Sequence, residues 1–233
     1  MLNTLKKLIR GILLLTLIIG SIIGFEEVKE LSFQHTASKA GPLKIRGNNF
    51  CSSSQVKYKG ERFTLTNRHC CEVVSNKTKN DRKRRTYFGD NTEGDMIVVG
   101  NSLQEIIKLD TKHDLCVLTP DLDKPYLRVA NSYSVNEPIT IIGHPRGMPQ
   151  TAREGRIVSV ENHIYYWVNP IHKLPMYLLS TIGYGGNSGS PVIDRYGSLV
   201  GVVFLGWTQR HTELGAVPLE DVRDFLDRVV AGE

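Results

Sequence analysis

A series of short apolar runs separated by turn-forming residues most constrains how this 233-residue chain can fold. From Gly41 onward the runs are rich in Val, Ile, Thr and Tyr, and Gly, Pro, Asn or Asp separate them; examples are RFTLT, DMIVVG, PITIIGHP, GRIVSVE and LVGVVFLG. Many short strands at such close spacing are typical of an all-β sandwich or barrel. The pattern therefore predicts an all-β body, and the sequence contains no repeat of fixed period.

One helix is predicted after the last strand, over residues 218–231. Its apolar residues recur at intervals of three and one, which places them on a single helical face; they are Leu219, Val222, Phe225, Leu226, Val229 and Val230. Pro218 suits the first turn, and Gly232 can end the helix. We expect this helix to pack back on the β body.

Residues 1–25 have a different composition from the rest. Three basic residues in the first ten precede fifteen uncharged residues, GILLLTLIIGSIIGF. A basic flank before an apolar stretch indicates a signal peptide or a membrane anchor. The stretch is shorter than the roughly 20 residues of a comfortable span, but no clear cleavage site follows. We favour an uncleaved anchor, a linker over 26–40 and an exported or membrane-anchored body outside the cytoplasm.

The composition is that of a globular protein, with 40% hydrophobic residues, 23% charged residues and a net charge of +5. Part of that charge lies in one run, KTKNDRKRR, over residues 77–85. A surface for anionic partners is one interpretation, but no aromatic residues interleave with the run, as they do where single-stranded nucleic acid binds. A solvated loop is favoured, and no nucleic-acid partner is expected.

Four cysteines are present: Cys51, Cys70, Cys71 and Cys116. An exported chain would let them pair, and four cysteines allow three full pairings between which sequence does not choose. A zinc site made with His69 is disfavoured because the spacing matches no C-x-x-C pattern. No metal and no cofactor are expected. In a reducing cytoplasm, all four cysteines would be small core residues.

The segment YGGNSGSPV, residues 184–192, holds a candidate nucleophile in Ser188. Gly186 and Gly189 leave the backbone free to direct its N–H groups at one point, as acyl transfer requires for its oxyanion. A serine also needs a base, and the base needs an orienting group. His69 ends the run FTLTNRHC, and Asp114 opens HDLCVL, where it can be buried. Each has a structural alternative, such as a turn cap, but the three together favour chemistry.

These blocks resemble the signature blocks of the chymotrypsin-fold (trypsin-like) serine proteases. The T-N-x-H and G-N-S-G patterns are similar, more narrowly, to the HtrA (Deg-type) branch, and the match runs from about residue 41 to 230. The resemblance implies two six-stranded antiparallel β-barrels, over 41–125 and 126–217, followed by the helix. An α/β-hydrolase is excluded because its G-x-S-x-G motif needs Gly where Ser190 stands, and too little chain follows.

The resemblance also implies roles for individual residues. Ser188 would be the nucleophile, His69 the general base and Asp114 its orienting carboxylate, with the N–H groups of Gly186 and Ser188 forming the oxyanion hole. Asn187 replaces the aspartate that pairs with a newly cut N-terminus in digestive proteases, so no zymogen activation of that kind is expected.

The same resemblance places Ile182 at the base of the primary substrate pocket, with a wall formed by Phe204, Leu205 and Gly206. The apolar base predicts cleavage after small or medium apolar residues, and not after Lys or Arg.

Two further features separate the sequence from the HtrA branch. Many chymotrypsin-like proteases bridge the positions of Cys51 and Cys70, whereas HtrA proteins usually do not; a second bridge between Cys71 and Cys116 stays open. HtrA proteins usually carry a PDZ domain, and none is expected here, because the chain ends just past the helix.

The sequence therefore predicts an exported or membrane-tethered serine endopeptidase that acts on protein or peptide substrates. Two alternatives stay open: a viral or phage processing protease, and a catalytically inactive protease-fold binding protein. The natural substrate and the oligomeric state are not determined.

Overall fold

Two closed rings of antiparallel strands make up most of the protein. The computed structural model describes residues 39–45, 48–72, 93–164, 173–206 and 213–233. The strands within these ranges are β1 (Ala40–Ile45), β2 (Asn48–Tyr58), β3 (Glu61–Asn67), β4 (Met96–Val99), β5 (Ser102–Asp110), β6 (Leu115–Leu118), β7 (Leu127–Val129), β8 (Pro138–Gly143), β9 (Thr151–Ile164), β10 (Lys173–Ser180), β11 (Pro191–Asp194), β12 (Ser198–Gly206) and β13 (Glu213–Pro218). Two α-helices accompany them, α1 (Arg68–Cys71) and α2 (Leu219–Ala231).

The first barrel contains β1 to β6 in the order β1-β4-β5-β6-β3-β2, and the pairing of β1 with β2 closes it. Some of its strands, β4 and most of β5, alternate between buried and exposed residues as a half-buried sheet requires, whereas every residue of β6 is buried. In β4, for example, Ile97 and Val99 are buried while Met96 and Val98 face outward. The buried residues at its centre include Ile97, Val99, Ile106, Leu118 and all four cysteines.

The second barrel contains β8 to β13 in the order β12-β11-β8-β9-β10-β13, and the pairing of β12 with β13 closes it. Its core is larger and aliphatic around one aromatic residue, Tyr177. Strand β7 pairs in parallel with both β2 and β12, so it links the two rings edge to edge. The prediction of an all-β, chymotrypsin-like fold with a C-terminal helix is confirmed.

Helix α2 buries Leu219, Val222, Phe225 and Leu226, while the other two residues of the predicted face, Val229 and Val230, are half-buried. Pro218 lies at the N-cap, one position before the first turn in which it was expected. Gly232 ends the helix in the left-handed conformation with φ 74°, which glycine adopts without strain.

Two disulfides fix the short helix α1 inside the first barrel. Cys70 is bonded to Cys51 on β2, and Cys71 is bonded to Cys116 on β6. Helix α1 is therefore held from both sides, although it is only four residues long.

Contacts group residues Ser38–Glu233 as one compact unit. The predicted anchor over 1–25, almost all of the linker and the basic run over 77–85 lie outside the described residues. Within the described ranges, no helix is long and apolar enough to span a membrane.

Candidate active site

His69 lies on helix α1, just beyond the strand end where the sequence placed it. Strand β3 ends at Asn67, and the chain then turns into the helix. The backbone N–H of Arg68 donates to the carbonyl oxygen of Asp114 at 3.0 Å, which fixes the start of this turn. Because Cys70 and Cys71 are both covalently held, the position of His69 between β2 and β6 is set by the fold.

Asp114 lies in the turn between β5 and β6, fully buried at 0% exposure. The His69 Nδ1 lies 2.6 Å from its Oδ2, and the backbone N–H of His69 donates to its Oδ1 at 2.9 Å. Its own carbonyl oxygen accepts from the Asn67 side-chain amide at 3.0 Å. Asp114 adopts φ 58°, an uncommon conformation for a residue with a side chain. Both carboxylate oxygens are thus directed at one histidine.

The pKa of His69 reflects two opposing influences. Burial lowers the pKa, but the negative charge of Asp114 and the hydrogen bond to it outweigh burial and raise it above 6.5. The His69 side chain is still 26% exposed, whereas that of Asp114 is 1% exposed. The imidazole can therefore meet a substrate or a second side chain on its open side while its Nδ1 stays engaged.

The loop around Ser188 contains both bound and unbound backbone N–H groups. Those of Asn187 and Ser190 donate within the loop, to Tyr184 and Asn187 at 3.1 and 2.9 Å, and that of Gly189 donates to Val203 at 2.8 Å. Those of Gly186 and Ser188 have no acceptor among the described residues. They are the two groups that the sequence assigned to an oxyanion hole.

Gly186 needs to be glycine for two reasons. Its φ is 99°, and a Cβ there would collide with the carbonyl oxygen of His144 and lie 2.8 Å from the Arg146 nitrogen. The adjacent carbonyl, of Gly185, accepts a hydrogen bond from the Arg146 N–H at 2.6 Å. The guanidinium of Arg146 lies 4.3 Å from the ring centroid of Tyr184. Residues 144–146, which follow β8, thus form a wall behind the loop.

A contact with β2 ties the Ser188 loop to the strand that is disulfide-bonded to helix α1. The backbone N–H of Ser52 donates to the carbonyl oxygen of Ser188 at 2.7 Å. Ser52 directly follows Cys51, whose disulfide partner Cys70 directly follows His69. Ser52, which contacts the loop, and His69 are therefore each next in sequence to a cysteine of the same disulfide.

A ring nitrogen of His69 and the sulfur atoms of Cys51 and Cys70 lie within 4.8 Å of one another. Both sulfur atoms belong to the disulfide, so neither is a thiolate that could bind zinc. The group is a disulfide packed beside the imidazole.

The predicted pocket residues have different environments. The Ile182 side chain is 40% exposed, whereas Phe204 on β12 is buried at 3%. Leu205 and Gly206 follow on the same strand. The sequence missed Leu214 on β13: it is buried, and its side chain occupies the space where a Cβ on Gly183 would lie.

A second buried histidine–aspartate pair lies just before Asp114, between Asp110 at the end of β5 and His113 in the turn. His113 Nδ1 is 2.9 Å from Asp110 Oδ2. The partners of this pair are on helix α2, where Arg228 lies 2.8 Å from Asp110 and Asp221 lies 3.5 Å from His113. Burial would raise the pKa of Asp110, but its interactions with His113 and its hydrogen bond with Arg228 hold that pKa well below 3.8. Among the described residues, no hydrogen bond or ion pair joins this pair to the serine loop.

Three residues that the sequence did not single out support the site: Ser52, His144 and Arg146. Ser52, Ser53 and Ser54 are all buried in the structure, and three consecutive polar residues do not indicate such burial. His144 and Arg146 are recognised only from their backbone contacts, which have no signature in side-chain chemistry.

The sequence matches the model of the trypsin-like peptidase domain over residues 50–202. A search of curated protein sequences found no significant match.

Solved structures with a similar fold include the active form of the Rv3671c protease from M. tuberculosis, with a TM-score of 0.62, 19% identity, and coverage of 84% of this chain and 83% of that one. An HtrA-type protease, AlgW, solved with a tripeptide, has a TM-score of 0.63 at 18% identity, with 84% and 62% of the two chains covered. A serine endoprotease from Yersinia pestis has a TM-score of 0.59 at 18% identity, with 85% and 65% covered. At these identities the likeness concerns the fold.

Proposed function

This chain belongs to the trypsin-like peptidase domain family, and on that premise we propose that it is a serine endopeptidase that uses Ser188, His69 and Asp114. The observation that carries the proposal is the 2.6 Å contact between His69 Nδ1 and the fully buried carboxylate of Asp114. A buried carboxylate in this position holds one imidazole tautomer and stabilises the imidazolium that forms during catalysis.

In the proposed reaction, Ser188 Oγ attacks the carbonyl carbon of the scissile peptide bond while its proton passes to His69 Nε2. The carbonyl π electrons move to oxygen and form the oxyanion. Collapse of this intermediate expels the amine, which takes the proton from His69, and leaves an acyl group on Ser188. Water then attacks the acyl-enzyme by the same route and releases the acid. Asp114 stays ionised throughout.

The free N–H groups of Gly186 and Ser188 support the role of this loop as the oxyanion hole. Each belongs to a peptide unit whose carbonyl is already engaged: Gly185 accepts from Arg146, and Asn187 accepts from Ser190. Because the C=O and N–H of a trans peptide point in opposite directions, fixing the carbonyl also fixes the N–H. Donors that are already oriented need no reorganisation when charge develops, which is the basis of their large effect on rate.

We propose a shallow, apolar primary pocket. Ile182 presents an exposed apolar side chain, and Leu214 packs against Gly183 from β13. Neither offers the carboxylate that a Lys or Arg substrate side chain would need. The pocket fits small or medium apolar side chains.

The two disulfides suggest an oxidising compartment, outside the cytoplasm. We propose that residues 1–25 attach the chain to the membrane, with the peptidase unit on the outer side. The substrates would then be exported or surface proteins.

The proposed function is tested by incubating the full chain, with its disulfides intact, with an unfolded protein substrate and with a peptide library. We expect cleavage after small or medium apolar residues that disappears in Ser188→Ala. Frequent cleavage after Lys or Arg would contradict the pocket assignment, and equal cleavage by Ser188→Ala would contradict the assigned nucleophile.

A further inference from the structure

Ser52 is a buried serine on β2 whose N–H, carbonyl and hydroxyl groups all form hydrogen bonds. Its side chain and backbone are 0% exposed. Its N–H donates to the Ser188 carbonyl at 2.7 Å, and its carbonyl accepts from Thr66 Oγ1 at 2.7 Å. Its hydroxyl donates to the Gly186 carbonyl at 2.9 Å and accepts from the His144 N–H at 2.9 Å. One residue of the first barrel is therefore hydrogen-bonded to the loop and to the wall of the second.

We propose that Ser52 is a positioning residue for the oxyanion hole, so that its hydroxyl sets the direction of the free N–H of Gly186. The inference rests on the function proposed above. Ser52 does not touch the reacting atoms and acts only through the peptide units of the loop.

The hydroxyl acts on the loop directly. By donating to the Gly186 carbonyl, it fixes the peptide unit between Gly186 and Asn187. That unit follows the Gly186 N–H immediately, and the Gly186 backbone has no Cβ to restrict its rotation. In any other residue, the side chain would restrict this backbone rotation sterically. At Gly186 the hydrogen bond restricts it instead.

The hydroxyl also acts through the wall. By accepting from the His144 N–H, it holds the segment in which Arg146 donates to the Gly185 carbonyl at 2.6 Å. The Gly185 carbonyl and the Gly186 N–H share one peptide unit, so this second path orients the same donor. Both peptide units that meet at Gly186 are tied to one hydroxyl.

Ser54 provides a matched control. It lies two residues along the same strand, so its side chain faces the same side of the sheet. It is 1% exposed, but its hydroxyl has no hydrogen-bond partner among the described residues. Ser54→Ala therefore removes a buried serine hydroxyl without touching the loop.

The test compares Ser52→Ala and Ser54→Ala with the wild-type full chain, using a peptide substrate that the wild type cleaves. We expect Ser52→Ala to lower kcat by about 10- to 100-fold, less than the loss of a whole oxyanion donor, with KM within about twofold. Ser54→Ala should match the wild type. Thermal unfolding of each variant shows whether the folded fraction is the same.

A second readout separates positioning from a general loss of packing. A peptide aldehyde binds as a hemiacetal: Ser188 Oγ bonds to the aldehyde carbon, its proton passes to His69, and the former carbonyl oxygen becomes the oxyanion. Its affinity should fall in Ser52→Ala by the same factor as kcat/KM. The affinity of the cleaved peptide acid, measured at a pH where it binds without covalent reaction, should change by less than twofold.

If the wild type cleaves and Ser52→Ala cleaves equally well, the positioning role is wrong while the proposed function stands. A loss in Ser52→Ala that appears in KM, or equally in product binding, also overturns it. If the wild type neither cleaves the peptide nor binds the aldehyde, the proposed function itself fails.

Discussion

The two barrels hold their parts of the site by different means. The first barrel fixes His69 covalently, because two disulfides hold helix α1. It also fixes His69 electrostatically, because the buried Asp114 carboxylate is hydrogen-bonded to both the ring and the backbone N–H of the histidine. The second barrel contains no cysteine and holds the Ser188 loop through backbone hydrogen bonds and glycine.

The difference corresponds to what each half must deliver. A general base must present one ring nitrogen in one tautomer, which requires a fixed partner for the other nitrogen. An oxyanion hole must present backbone N–H groups, which requires peptide planes in a fixed orientation and no side chain in the way. Damage to helix α1 or to Asp114 should therefore change the base and its pH dependence, while damage to the Ser188 loop, or to Ser52 that holds it, should change transition-state stabilisation alone.

The largest effect is expected for Asp114→Asn, which should reduce kcat by about 10⁴-fold. The variant also removes the charge that raises the pKa of His69 above 6.5. Since the base must be neutral, wild-type kcat/KM should rise with pH through a pKa above 6.5, and the variant's acidic limb should move to lower pH. A pH profile of kcat/KM measures both effects.

The control for that prediction is Asp110→Asn, which changes the other buried aspartate paired with a histidine in the same turn. It should lower stability but keep kcat within about tenfold, because Asp110 is bonded to Lys112, His113 and Arg228 and not to His69. Equal losses in the two variants would show that the turn, and not the His69 partner, determines activity.

The second barrel is broken most directly by Gly186→Ala. The added Cβ collides with the His144 carbonyl, and an alanine would have to adopt φ near 99°, so the loop has to move. We expect kcat to fall by about 10²- to 10³-fold, the effect of losing one oxyanion donor, with the pH profile unchanged. Gly185→Ala is the matched control, because a Cβ there meets nothing within 4 Å. A shift of the pH profile in Gly186→Ala would contradict the division of roles.

The two disulfides should separate stability from activity. The chain-entropy model assigns about 3 kcal/mol to the bridge from Cys51 to Cys70 and about 4 kcal/mol to that from Cys71 to Cys116, because the bridges span 19 and 45 residues. Urea unfolding of the paired Cys→Ser variants measures these losses.

The bridge from Cys51 to Cys70 packs against His69 and adjoins Ser52. Its removal should therefore also lower kcat of the folded protein, and by more than removal of the longer bridge does. The opposite order of effects on kcat would count against a site held through α1.

The smallest effect is expected for Arg228→Gln, which removes a partner of the buried Asp110. Because Asp110 keeps its bond to His113, we expect a loss of about 1–2 kcal/mol in the free energy of unfolding and unchanged kcat. The low pKa of Asp110 stabilises the folded state above pH 3.8, and this contribution disappears as pH falls through the depressed pKa. The difference between wild type and variant should therefore be smaller at acid pH than at neutral pH.

The exposed pair between Lys59 and Asp227 is its control. Exposed ion pairs are screened by water and add little to stability, so Lys59→Gln should leave the unfolding transition unchanged. A larger loss in Lys59→Gln than in Arg228→Gln would contradict the assignment of Asp110 as the buried anchor of helix α2.

The sequence allowed the fold class, the C-terminal helix and the pairing of His69 with Asp114 to be predicted, because each has a local signal: spacing, periodicity or a signature block. The supporting contacts had none. Ser52 bonds residues more than 90 positions away, and the role of Arg146 depends on its backbone N–H, which every residue except proline has. Leu214 reaches Gly183 only because β13 closes the second barrel. Such contacts depend on how the barrels are placed, which local patterns do not encode.

Covalent labelling with a fluorophosphonate, with the adduct mapped by mass spectrometry, tests the central claim most directly. We predict one adduct on Ser188 in the oxidised full chain, no adduct in Ser188→Ala, and much slower labelling in His69→Ala. An adduct on Ser190 or another residue, or a folded and oxidised wild type that takes no label, would contradict the assignment of Ser188, His69 and Asp114.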